Sequence, residues 1–493
     1  MQNSFLLQSS KIEFDEGYIR SVEFLGPNAD LASTHISIIA GANGTSKSRL
    51  LASVVEQLSF VRDFQVDQKL SDSKYPTSHG LRCLNFSTVN DEQILSEESS
   101  KIEPRGGQPT IPTGILVLSN LVADKFHYPQ SKDETEPYYR YLGARQGTNM
   151  MTSGSLERSV TEAILKIVAK DDYLNLYKDW LGLIFSGSAQ LAFSFPRLTR
   201  STIENYLAEN DKNKFISERL QQRSSRFRSI PSKELPVDEI EKGVTELFNF
   251  LAPRLLPKSS TGKGRQGAEL QMLYLGNLTD DEKTTLSKLP PLFALASRAG
   301  FSPWPSLSIG NGKWLQFNQL SSGEQNLLSI GAKLIAHAKP GCLVAIDEPE
   351  VSLNVGWQQR YIDLIQESLK FAQGSHVLIA THSPHIIASI PAGKGSVILV
   401  EKQKTGLSFS TKDANFEGWG SESVLYKVLG IPSASSHLFN MELTNVLAHI
   451  QNGTASKNLI DKFLQTALKL SFDNDDPLRE LISEVDSYRR ELQ

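Results

Sequence analysis

The sequence predicts an α/β unit split by a helical insertion and followed by a helical tail, and three observations carry that reading. Short β-rich runs, "HISIIAG" (35–41), "GCLVAIDEP" (341–349) and "HVLIATHSP" (376–384), each end in glycine, carboxylates or histidine. From about 155 to 300 long helical patterns replace them, for example "VDEIEKGVTELFNFLAPRLL". After Gly41, apolar residues at Leu50, Leu51, Val54, Val55, Leu58 and Val61 fall at helical spacing, so the turn at 41–48 joins a strand to a helix.

Taken in order, "YIRSVEFLG" alternates as a half-buried strand and "HISIIAG" is a short buried one; "RCLNFSTV" and "GILVLSNLVA" read as further strands, with a Pro/Gly-punctuated loop at 96–112. The helical texture then sets in, interrupted by an exposed loop at "PKSSTGKGRQGAE" (257–269). Strands return at "KWLQFNQ", "GCLVAIDEP" and "HVLIATHSP", and "SVILVEKQKTGLSFSTK" reads as a hairpin. The expected organisation is a first lobe over 1–154, a helical insertion over 155–304, a second lobe over 305–412 and a helical extension over 413–493.

Composition narrows the class. With 39% hydrophobic residues, 22% charged and a net charge of −4, the chain is an ordinary globular one, and any nucleic-acid contact has to come from local patches. Two cysteines, Cys83 and Cys342, the latter inside an apolar strand run, argue against a disulfide framework and for a reducing compartment. The N-terminus shows no basic segment leading into an apolar one, and no apolar run approaches the ~20 residues that span a bilayer. The expectation is a cytoplasmic chain without membrane contact.

The turn reads Gly41-Ala42-Asn43-Gly44-Thr45-Ser46-Lys47-Ser48, one residue away from the phosphate-binding pattern G-x-x-x-x-G-K-[ST]. That pattern works because backbone N–H groups converge on phosphate at a helix N-terminus, where the dipole also favours an anion. Lys47 then reaches the phosphates and the Ser48 hydroxyl a Mg²⁺ ion. Ser46 stands where glycine is usual; serine keeps the N–H, and its side chain is accommodated if φ stays negative. Some 280 residues on, "LSSGEQ" (320–325) leads into an apolar helix, and "CLVAIDEPE" delivers Asp347 and Glu348 to the C-terminal end of a strand, the edge where α/β sheets bind ligands. Asp347 is placed to hold Mg²⁺, and Glu348 to orient or deprotonate an attacking water. "LIATHSPHII" puts His382 at the end of the next strand.

These motifs, in this order, resemble the ATP-binding-cassette class of P-loop ATPases, in particular the branch that includes SMC, RecF and OLD-type proteins. The resemblance covers about 18–155 and 305–405. It implies ATP held between two heads, by Gly41–Ser48 of one copy and by Ser321, Gly323 and Glu324 of the signature segment of another, hence a homo-oligomer with an even number of heads. It implies a D-loop at "SLN" (352–354), with Asn354 where aspartate is frequent, and Gln146 is the candidate for a Q-loop. The departures at Ser46 and Asn354 point to slow hydrolysis.

The insertion is too short for long coiled-coil arms. Within it, Arg219, Arg223 and Arg226 share a helical face, a candidate nucleic-acid contact. A nuclease domain after the ATPase is disfavoured: "DNDD" (473–476) reads as the loop before a last helix near Pro477, and only 17 residues follow it. The segments "LVADKF", "YYRYLGARQGTN", "DEPEVSLNVGWQ" and "GSESVLYKVLGIP" resemble the Septu-type anti-phage ATPases, which implies a regulatory ATPase controlling a separate HNH-type nuclease. The alternative is a RecF-like repair ATPase that binds DNA itself.

Overall fold

The computed structural model describes residues 4–14, 17–27, 33–42, 44–67, 81–88, 91–93, 110–121, 124–127, 137–143, 153–185, 187, 189–195, 197–226, 236–255, 271–301, 304–311, 313–403, 406–416, 418–429, 437–467 and 477–491. Its strands in the first half of the chain are β1 (Leu7–Phe14), β2 (Ile19–Glu23), β3 (His35–Gly41), β4 (Leu81–Thr88), β5 (Asp91–Gln93), β6 (Ile115–Ser119), β7 (Tyr139–Tyr141) and β8 (Gln190–Phe195). The second half adds β9 (Gln271–Tyr274), β10 (Ser306–Asn311), β11 (Lys313–Gln316), β12 (Leu343–Asp347), β13 (His376–Thr381), β14 (Gly395–Gln403) and β15 (Gly406–Asp413).

Two compact units result: residues 1–143, 339–363 and 372–493 form one, 144–338 and 364–371 the other. The first is built on a seven-stranded sheet in the order β15-β14-β3-β13-β12-β6-β7. All neighbours from β14 to β7 run parallel, and β15 returns as the antiparallel arm of the expected hairpin. Every residue of β3, β6, β12 and β13 is buried, the signature of parallel strands covered on both faces. The helix Lys47–Asp67 supplies one cover, with Leu50, Leu51, Val54, Val55, Leu58 and Val61 in the core as their spacing predicted. An antiparallel sheet, β2-β1-β4-β5, contributes Leu7, Ile12 and Val22 to the same core, with Phe24 just beyond β2.

Because the strands are parallel, their C-terminal ends share one edge. Asp347 pairs with Ala380 and with Ser119, and Thr381 with Ala40. The turn after β3, the carboxylates after β12 and the histidine after β13 are thereby brought side by side. At the opposite edge the same strands carry a buried polar cluster. His35 Nε2 lies 3.2 Å from Ser396 Oγ and His376 Nε2 2.8 Å from Ser37 Oγ; Ser37 donates to Phe24 O, and Leu7 N–H donates to His376 Nδ1 at 3.0 Å.

The second unit is mostly helical but holds its own antiparallel sheet, β11-β10-β8-β9. β8 and β9 lie inside the stretch expected to be helical. β8 pairs Leu191 and Phe193 with Ile309 and Leu307 of β10, so its apolar content serves a sheet face. The helix Ser322–His337 is packed against the helix Asp171–Phe185. Tyr177 Oη donates to Leu328 O at 3.2 Å, and Trp180 lies over Gly331 so closely that a Cβ there would come within 2.7 Å of the indole. Trp180 Nε1 also donates to Leu364 O. The contact grouping differs from the boundaries read from the sequence: residues 305–338, signature segment included, group with the insertion.

Among the described residues after β15, the helices His437–Gln451, Lys457–Ala467 and Pro477–Glu491 enclose a small core of Phe439, Ile460, Phe463, Leu464 and Val485. Among the described residues no helix is long and apolar enough to cross a membrane.

Candidate nucleotide site

β3 ends on Gly41 because the next strand leaves no room for a side chain: a Cβ there would sit 2.5 Å from Val400 O. Ala42 follows and is exposed, and Asn43 lies outside the described residues. Thr45 closes the turn by donating from Oγ1 to Ala42 O at 2.8 Å. Gly44 has φ +81° and Ser46 φ +63°, after which the helix begins, with Leu50 N–H on Ser46 O. The expectation of a negative φ at Ser46 is therefore corrected. The turn from strand into helix needs a left-handed residue here, and serine adopts it at a cost of about 1–2 kcal/mol.

Lys47 is buried, and its Nζ donates to the turn's own carbonyls, Gly41 O at 3.0 Å and Ala42 O at 3.1 Å. Burial lowers its pKa, opposed by the charges of Glu348, Glu350 and Asp347. Ser48 Oγ donates to Asp347 Oδ1 at 2.7 Å. Asp347 is fully buried at the end of β12, and its other oxygen, Oδ2, has no hydrogen-bond partner among the described residues. Burial pushes its carboxyl up to about 7, the Ser48 bond pulling the other way and neighbouring Glu348, Asp124 and Glu350 adding to the rise. A hydroxyl and a carboxylate in contact, with one carboxylate oxygen buried and unsatisfied, are the donor set a hard divalent cation takes, so the residues present fit Mg²⁺.

Glu348 leaves the strand with φ +48°, and Ser352 in the following turn has φ +71°. Together with Ser46 these are the positive-φ residues other than glycine among the described residues, and all three lie in the segments that the sequence marked as the site. His382 Nδ1 lies 2.8 Å from Glu348 Oε2 and 3.1 Å from Glu350 Oε1. Burial raises the Glu348 pKa, Glu350 adds to it, and His382 and Lys47 counter it.

Glu350 is the residue sequence reading missed, although "DEPE" displayed it. Its partners come from β13: Thr381 Oγ1 and His382 N–H donate to its Oε1 at 2.7 and 2.8 Å. Asp124 was also missed; it lies in "LVADKF" beyond β6, where Tyr141 Oη and Phe126 N–H donate to it.

Ser321, Gly323 and Glu324 lie in the other unit, at the start of the helix Ser322–His337. Ser321 is its N-cap and Glu324 closes a capping box, accepting Ser321 N–H at 2.8 Å. Ser321 is exposed and Gly323 buried. Asn354 caps the next short helix by accepting Trp357 N–H at 3.0 Å. Gln146 falls outside the described residues.

Of the candidate nucleic-acid face, Arg219 is half-buried. Its guanidinium lies 4.5 Å above the Phe301 ring and 5.6 Å from that of Phe215, so it is engaged in packing within its own unit. The side chains of Arg223 and Arg226 lie outside the described residues.

A mostly parallel sheet that brings Lys47, Ser48, Asp347, Glu348 and His382 to one edge is the α/β architecture of a P-loop ATPase that resembles the SMC and ABC heads. Residues 185–388 match the family described as "AAA domain, putative AbiEii toxin, Type IV TA system". Among individual proteins the chain is similar to Septu protein PtuA of Bacillus thuringiensis, 25% identical over 142 residues, which cover 28% of this chain and 34% of that one. The chain thus spans about a third of the length of this curated relative. It is also similar to the Smc head domain with an extended coiled coil bound to the C-terminal domain of ScpA, derived from Pyrococcus furiosus. That match has 13% identity and a TM-score of 0.33, and covers 83% of this chain and 96% of that one. A second likeness is to the SmcHead bound to the C-winged helix domain of ScpA, at 19% identity and a TM-score of 0.20, covering 23% of this chain and 34% of that one.

Proposed function

We propose that this protein is a cytoplasmic, slowly hydrolysing regulatory ATPase of a bacterial anti-phage complex, in which it controls a separate nuclease, HNH-type by resemblance. The observation that carries the ATPase reading is the shared edge of β3, β12 and β13, where Lys47, Ser48, Asp347, Glu348 and His382 meet. In that reading the turn Gly41–Ser48 cradles the phosphates of ATP, and Lys47 leaves Gly41 O and Ala42 O to face them. Ser48 and Asp347 hold Mg²⁺, which when bound neutralises charge on the phosphates. Glu348 accepts the proton of the attacking water, and His382 stands beside the γ-phosphate. Ser321, Gly323 and Glu324 of a second copy close the site, which makes the active form a head-to-head dimer or a higher even-numbered assembly.

The defence role is supported by the similarity to Septu protein PtuA, and the engagement of Arg219 in packing disfavours direct DNA binding by that face. The helices over 437–491, which enclose a core of their own, are the segment proposed for nuclease docking.

Two measurements test this. Purified protein should release phosphate from ATP, and Glu348→Gln should bind ATP without releasing it. Tagged protein from its host should carry a stoichiometric small nuclease; retained DNA without a protein partner would instead establish the repair reading.

A further inference from the structure

Phosphate binding, cation binding and proton abstraction leave Glu350 without a role, yet its environment is the most specific at this edge. It is 9% exposed, and its Oε1 takes Thr381 Oγ1, His382 N–H and the approach of His382 Nδ1. With both glutamates, Glu348 and Glu350, ionised, each can only accept, and the imidazole then presents Nδ1–H to them. That same Nδ1 is 2.8 Å from Glu348 Oε2. One N–H therefore faces two carboxylates. Glu350 is fixed by two donors from β13 and its turn, while Glu348 is the group that has to reach water.

We propose that Glu350 is the positioning residue for His382, the acceptor to which Nδ1–H passes when Glu348 turns to the attacking water. In the state described here His382 occupies Glu348. Hand-over of the hydrogen bond to Glu350 frees the Glu348 oxygen while the imidazole stays in place, with its other nitrogen, Nε2, available to substrate. No proton changes owner; only the acceptor changes. Glu350 thereby couples release of the base to a fixed orientation of the histidine. The inference rests on the ATPase reading of this edge.

The test separates the two. In ¹⁵N-histidine-labelled protein at pH 8, the His382 imidazole, assigned by its loss in His382→Gln, should show the Nδ1–H tautomer in wild type and in Glu348→Gln. It should shift to the Nε2–H tautomer in Glu348→Gln/Glu350→Ala. If the double variant keeps Nδ1–H, Glu350 does not hold the ring and the proposal is wrong, whatever the ATPase rate. In turnover, Glu350→Ala should lower kcat by ~10- to 100-fold with the KM for ATP within about twofold. Glu350→Gln, whose amide oxygen accepts the same bonds, should restore most of that loss and covers the case in which the alanine variant does not fold. A raised KM at unchanged kcat, or a glutamine variant as slow as the alanine one, would overturn it. If wild type hydrolyses no ATP, the ATPase reading falls while the tautomer result still judges the Glu350–His382 contact.

Discussion

The two edges of the central sheet are made by the same strands and treat polar groups in opposite ways. At the N-terminal edge, His35, Ser37, His376 and Ser396 are buried and bonded to one another and to Phe24 O. At the C-terminal edge, Lys47, Asp347, Glu348 and Glu350 are ionisable groups held close together. There Asp347 Oδ2 and Glu350 Oε2 lack partners among the described residues, and Ser46 and Glu348 have left-handed backbone. The first, the closed edge, bonds chiefly within itself, and the second, the open edge, leaves two carboxylate oxygens without a partner among the described residues. Unsatisfied groups and backbone strain cost stability, so they persist where a ligand completes them.

The comparison can be broken from either side. The largest effect is expected at the open edge: Glu348→Gln should lower ATP turnover by ~10²–10⁴-fold with nucleotide affinity retained, measured by phosphate release beside fluorescent-nucleotide titration. Lys47→Ala should weaken nucleotide binding by roughly 100-fold, the weight of hydrogen bonds to a charged group, with a smaller loss of urea stability than the closed-edge substitution. At the closed edge the pattern should invert. His376→Ala leaves Leu7 N–H and Ser37 without their partner and opens a cavity, which should cost about 2–4 kcal/mol in urea unfolding and leave ATP affinity unchanged. If it weakened ATP binding instead, the two edges would not be independent.

Acid should sharpen the contrast. Burial holds His376 neutral, well below its ordinary 6.5, and the nearby His35 adds to this. Below 6.5 the unfolded chain takes up a proton that the folded one resists, so wild-type stability falls as pH drops from 6.5 towards the folded value. His376→Gln should flatten that part of the profile. The smallest effect is expected from Ser46→Gly, which removes the left-handed strain and should raise stability by about 0.5–1 kcal/mol.

The motifs of the open edge were legible because each is local. A strand end with two carboxylates, or a glycine turn before an apolar helix, can be read in ten residues. Glu350 was not, since its donors, Thr381 and His382, lie some 30 residues on and meet it only through the pairing of β12 with β13. The left-handed φ of Ser46 was missed because residue identity alone favoured the opposite sign. β8 and β9 escaped for another reason: each is short, and β8 finds the partner for Leu191 and Phe193 on β10, more than 110 residues away. The histidines of the closed edge gave no signal, each being one polar residue at the start of a β-rich run.

The seating of Trp180 over Gly331 has a mechanical consequence. With Tyr177 Oη bonded to Leu328 O in the same interface, sliding or rolling of the helix Asp171–Phe185 past the helix Ser322–His337 would break that bond and drive the indole against the Gly331 backbone. The signature helix that starts at Ser321 is thus keyed to the insertion through Asp171–Phe185, and displacing that one helix tilts the exposed Ser321 end with it.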